Sequence, residues 1–142
     1  MHNIADVTLN ISFAEGFGLG TLESMQCGTP IIAAKTGGLT RQVVDHRDGT
    51  ENGVALPIEA RSLVGSQQVP YIYEDYVSAD ATAAALMKIY SLNPEERKAL
   101  SEKVRSYVMS EFNYQNTIDM WDDTLRGLIE NWRRDRFTLE TM

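Results

Sequence analysis

Cysteine, histidine and basic residues are all scarce in this 142-residue chain, and each scarcity removes a class of function. The single cysteine, Cys27, excludes an intrachain disulfide framework and a cysteine-based zinc site, and it suits a reducing compartment. Only His2 and His46 offer an imidazole as ligand or base. No apolar run approaches the roughly 20 residues of a membrane span, and no apolar secretory segment follows Met1-His2-Asn3. Lys and Arg number 13 against 20 Asp and Glu, a net charge of −7, so neither nucleic acid nor an anionic membrane surface is attracted to the overall field. These absences predict a globular cytoplasmic protein with no membrane span and no nucleic-acid partner. The length fits a single domain, 1–142, large enough to bury about 70% of the surface its unfolded chain exposes.

What is present is unevenly distributed. Val7-Thr8-Leu9-Asn10-Ile11-Ser12 alternates and is rich in β-branched residues, which predicts a strand. Three glycines between Phe13 and Gly20 predict a loop, and Thr21 to Cys27 a helix stopped by Gly28 and Thr29-Pro30. Ile31 to Ala34 reads as a buried parallel strand, Leu39 to Asp45 as a brief helix, and Val54 to Leu56 as a third strand. Residues 58–77, with three tyrosines and no period, read as a long loop, a lid or the host of a short element such as Tyr71-Ile72-Tyr73. Helices fill 78–142. Ser78 caps the first, Asn93-Pro94-Glu95-Glu96 opens the second, and the third runs from about Gln115 to Arg134 with Ile118, Trp121, Leu125, Leu128, Ile129 and Trp132 on one stripe. The fold class is α/β, a Rossmann-like parallel sheet with a helical C-terminal tail. Strands confined to residues 1–57 predict a truncated sheet with an exposed apolar edge, open to a second copy of the chain.

Glu15 to Glu23 carries the chemistry. A glycine loop between a strand end and a helix start gathers free backbone N–H groups and the positive end of a helix dipole, an anion site suited to diphosphate. Glu23, read in the first helical turn, can accept hydrogen bonds from a ribose diol, and Glu15 from the hydroxyls of a second sugar. The bland reading of Glu23 is an acid that complements the dipole, worth about 0.3–1 kcal/mol. Gly16, Gly18 and Gly20 do not make G-x-G-x-x-G, and Lys35 stands after the second strand where an NAD site wants an acid; an NADP site is the weaker alternative. No Gly-Lys-Ser/Thr is present, so a P-loop is excluded. Cys27 reads as core packing, His46 as solvated, and Arg133-Arg134-Asp135-Arg136 as basic charge at a helix end.

Glu15-Gly16-Phe17-Gly18-Leu19-Gly20-Thr21-Leu22-Glu23, Cys27-Gly28-Thr29-Pro30-Ile31-Ile32-Ala33, Gly37-Gly38 and Asn52-Gly53-Val54-Ala55-Leu56-Pro57 resemble the donor-binding half of the retaining GT-B glycosyltransferases, family four or group 1. Val64 to Pro70 is similar to versions from large bacterial viruses. The resemblance implies transfer of a sugar from a nucleotide-diphosphate-sugar, with retention of configuration and no cofactor or metal. It implies that Glu15 is catalytic, facing the anomeric centre. Gly16, Phe17 and Gly18 would line the sugar pocket, Leu19 and Gly20 amides would hold diphosphate, and Glu23 would bind ribose. The family's Pro-Glu after Gly-Gly is Thr40-Arg41 here. Its diphosphate-binding Arg and Lys and its N-terminal acceptor domain are not in this sequence, which therefore reads as the last part of a longer enzyme, inactive alone. The alternatives are an inactive truncated domain used as a folded interaction module, or a GT-B nucleotide-sugar epimerase.

Overall fold

The computed structural model describes residues 2–132. A 3-10 turn at His2–Ile4 precedes β1 (Thr8–Asn10), α1 (Leu19–Gln26), β2 (Ile31–Ala34), α2 (Leu39–Val43) and β3 (Gly53–Leu56). The strands form one parallel sheet in the order β1-β2-β3, with Thr8 opposite Ile31 and Ile32 opposite Val54. Parallel neighbours need crossovers, and α1 and α2 supply them. All four residues of β2 are buried, as in a central strand covered on both faces. The pleat turns Ile32 toward α3 (Ala79–Tyr90), where Ala85, Ile89 and Leu56 complete a core. On the other face α1 and α2 bury Met25, Leu39 and Val43, and α4 (Pro94–Glu111) packs on α1. The free edge of β1 leaves Leu9 and Ile11 exposed.

The helix ends follow the sequence closely. Ser78 Oγ accepts the Ala81 amide at 3.1 Å. Asn93 and Glu96 form a reciprocal capping box, each side chain accepting the other's amide at 2.9 Å. The turn after α2 is tied to α4 by charge. Arg47 binds Asp45 in the fork geometry at 2.9 and 2.7 Å, reaches Ser110 Oγ at 3.2 Å, and lies 5.1 Å from the Tyr107 ring centre. The Arg47 hydrogen bond holds the Asp45 carboxyl down at about 2, and burial pushes the Tyr107 hydroxyl up to about 12.

Several expectations are corrected. Residues 58–77 are not a long loop but host more than the one short element expected: β4 (Ala60–Val64) and β5 (Ile72–Tyr76), which holds Ile72 and Tyr73, pair as an antiparallel hairpin with Arg61 opposite Asp75. Alternation there was masked because tyrosines stand on both sides of the ribbon. The chain forms two compact units, residues 1–111 and residues 112 onward, rather than one. The second unit contains α5 (Tyr114–Glu130), whose start is capped by Asn113. On its apolar stripe Trp121 is 62% and Ile129 75% exposed. Cys27 is the C-cap of α1 and exposed, because Gly28 turns the chain before the side chain reaches a core. The Arg133–Arg136 cluster lies outside the described residues. No described helix is long and apolar enough to cross a membrane.

Asn93→Ala is expected to lower stability by about 1 kcal/mol in urea unfolding, the usual worth of such a cap. Because the folded Asp45 carboxyl titrates at about 2, below its ordinary 3.8, its contribution is complete above pH 3.8 and is lost as pH falls through 2. An Asp45→Asn chain should therefore show a flatter stability profile across that window, and an unchanged slope would refute the linkage.

Candidate active site

All three parallel strands end on the same side, the crest where open α/β sheets place their ligands. Glu15, Gly16, Phe17, Gly18, Leu19 and Gly20 run across it from β1 into the first turn of α1. Gly18 is the N-cap at φ 87°, and a Cβ there would stand 2.6 Å from Leu39 Cδ2. Only glycine satisfies both the left-handed backbone and the contact. Gly37 meets a harder limit, since its Cβ would lie 1.7 Å from the Glu15 carbonyl oxygen. The Gly38 amide donates to Gly16 O at 3.1 Å, so the loops after β1 and β2 are laid backbone to backbone.

Gln42 completes this arrangement and was not legible in the sequence. Wholly buried on α2, it donates from Nε2 to Phe17 O at 2.6 Å, while its Oε1 lies 2.5 Å from the Thr21 hydroxyl. Asn52 in turn donates to Gln42 O at 2.9 Å. A polar residue in a five-residue helix reads as solvated. Only its place on the inward face beside the buried Leu39 and Val43 signals otherwise.

Two sets of groups face outward. α1 begins at Leu19, so the amides of Leu19 and Gly20 belong to the first turn and have no intrahelical acceptor. A Cβ at Gly16 or Gly20 would meet nothing within 4 Å, so internal packing does not require glycine at either position. Glu15 Oε1 accepts the Gly18 amide at 3.2 Å, which fixes the carboxylate against its own loop. Glu23 is not in the first turn as expected, because the helix begins two residues earlier than the glycine pattern suggested. It stands one turn in, with a side chain 66% exposed and His2 Nε2 at 3.8 Å. The structure thus brings Glu15 to Gly20 together and sets Glu23 apart along the helix. Arg41, where the resembled family has Glu, pairs with Glu111. A 220 Å³ cleft lined by Cys27, Pro30, Arg97 and Ser101 opens at the opposite end of β2. Among the described residues, no group of three acidic, His or Cys side chains is arranged to hold a metal ion.

Comparison with known proteins agrees with this fold. The family described as "Glycosyl transferases group 1" matches residues 1–61, the span that holds the crest. Over this span the chain is similar to that family. The group 1 likeness extends beyond the matched span in two curated relatives. It is 34% identical over 110 residues to D-inositol 3-phosphate glycosyltransferase 2 of Catenulispora acidiphila, covering 70% of this chain and 26% of the relative. It is 31% identical over 133 residues to D-inositol 3-phosphate glycosyltransferase of Saccharomonospora viridis, covering 94% of this chain and 25% of the relative. Sucrose-phosphate synthase from Thermosynechococcus elongatus superposes with a TM-score of 0.67 at 27% identity, over 91% of this chain and 27% of that one. The chain therefore has the GT-B group 1 architecture and spans about a quarter of the length of these relatives.

Gln42→Ala removes the amide that donates to Phe17 O and accepts from the Thr21 hydroxyl, which keeps its bond to Gly18 O at 2.7 Å. Urea unfolding should register a loss of about 1–3 kcal/mol, and a loss below 0.5 would show that water replaces the amide without penalty.

Proposed function

We propose that this segment supplies the donor half of a glycosyltransferase that takes a sugar from a nucleotide-diphosphate-sugar with retention of configuration. The observation that carries the reading is the crest: free Leu19 and Gly20 amides beside two glycines that packing does not require, with a carboxylate on either side along the chain. In this reading the amides hold the diphosphate without adding charge, which suits an anion on a chain of net charge −7. Gly16 and Gly20 leave room for the donor to approach the backbone. Glu15 accepts hydroxyls of the donor sugar and faces the anomeric carbon, where positive charge develops as the bond to the diphosphate oxygen breaks. Glu23 accepts the ribose diol.

Chemistry at such a centre depends on stabilising the departing diphosphate. Donors fixed before the reaction, as the Gly18-capped helix start fixes Leu19 and Gly20, do this without reorganising at the moment of transfer. The acceptor then attacks on the face the diphosphate leaves, and the proton released by its hydroxyl is taken up by the departing oxygen. The acceptor and a separate acceptor-binding domain belong to the longer enzyme in this proposal.

Titration calorimetry of UDP, GDP and ADP against the chain tests it. One nucleotide should bind, and Glu23→Ala should weaken it by about 1.5–3 kcal/mol, roughly 10- to 150-fold. Equal affinity in the variant would remove Glu23 from the site; no binding to any nucleotide would remove the reading.

A further inference from the structure

The β4–β5 hairpin leaves the sheet beyond β3, and all but its first two residues lie past the span that the family matches. It returns to the crest at one point. The Asp75 amide donates to Phe13 O at 2.7 Å, two residues before Glu15, and the Tyr76 ring lies 4.6 Å from the Phe13 ring. The Asp75 side chain is buried, yet it keeps its charge. Arg61, opposite it in the hairpin register, donates from Nε at 2.5 Å and from Nη2 at 3.1 Å. That fork holds the carboxyl below its ordinary range, and the Thr36 hydroxyl, in the loop after β2, acts in the same direction. A buried carboxylate left without such donors would be costly, so its retention at this junction needs a use.

The neighbours of Asp75 suggest that use. Thr36 precedes Gly37, whose backbone presses against Glu15, and Phe13 leads into Glu15 from the other side. The hairpin therefore grips the segment that leads into Glu15, through the Asp75 amide and the Tyr76 ring, while Gln42 fixes Phe17 and Thr21 farther along the loop. We infer that Asp75 is a positioning residue for the sugar side of the donor site, its ion pair with Arg61 holding the hairpin against the Phe13–Glu15 strand end. The Phe13–Tyr76 contact seats the hairpin there. The inference rests on the proposed donor reading, and it assigns the hairpin to sugar placement, leaving nucleotide binding to the amides of α1.

Asp75→Ala, and a chain in which residues 60–76 are replaced by a short Gly-Ser turn, are compared with the parent chain in two measurements. Calorimetry with UDP, UDP-glucose, GDP and GDP-mannose separates the affinity for the nucleoside diphosphate from the increment added by the sugar. Both variants are expected to keep the diphosphate affinity and lose about tenfold of the sugar increment. Amide hydrogen exchange without ligand is expected to quicken at Gly18 and Gly38, whose amides bond to Glu15 Oε1 and Gly16 O, but not at Leu22 or Met25. Parallel weakening of diphosphate and sugar nucleotide would make Asp75 a merely structural residue and overturn the inference. Unchanged exchange at Gly18 and Gly38 would overturn it whatever the nucleotides do. A parent chain that binds no nucleotide overturns the donor reading and this inference with it.

Discussion

Two backbones lie so close at the crest, Gly37 on Glu15 and Gly38 on Gly16 and Phe17, that no side chain fits between them, and the other crest contacts are built around that approach. Because the loop after β2 presses on the loop after β1, the glycine loop cannot relax outward. Gln42 then reaches Phe17 from behind, and Gly18 takes the left-handed turn that starts α1 under Leu39. The free amides of Leu19 and Gly20 follow from where that turn is made. An anion site assembled this way consists of main chain, and its donors carry no formal charge. The acidic composition and a diphosphate ligand are therefore compatible, whereas an acidic chain relying on side-chain cations would have few to place there.

Much of this was legible in the sequence. β-branched runs located the sheet, glycines and the Asn93-Pro94 signal located the turns and helix starts, and Glu15 to Gly20 stood out because that density of glycine between a strand and a helix has few other uses. What was hidden shares a physical cause. Gln42, Asp75 and Thr36 are polar residues buried through long-range partners, at separations of 25 residues for Gln42 to Phe17 and 14 for Arg61 to Asp75. No local pattern reports such pairing. Only part of β5 was anticipated, at Tyr71-Ile72-Tyr73, and its pairing with β4 was missed for a related reason, since tyrosines on both faces erase the alternation that betrays a strand. The helix start was misplaced by two residues because glycine reads as a breaker even when, like Gly20, it sits inside the first turn.

The second unit gives the opposite lesson. Its 3.6-residue stripe predicts a helix correctly, and Asn113 caps it, yet Trp121, Leu125, Leu128 and Ile129 remain exposed. Periodicity reports that a face is apolar; it does not report what covers it. The same restraint applies to the free edge of β1 with Leu9 and Ile11.

The central claim is that the anion is held by the backbone at the start of α1. A nitrogen–proton correlation spectrum recorded during titration with UDP and GDP tests it residue by residue. The account predicts the largest amide shifts at Leu19 and Gly20, with smaller ones at Gly16 and Glu23. Shifts centred instead on Cys27, Arg97 and Ser101, in the cleft at the far end of β2, would contradict it.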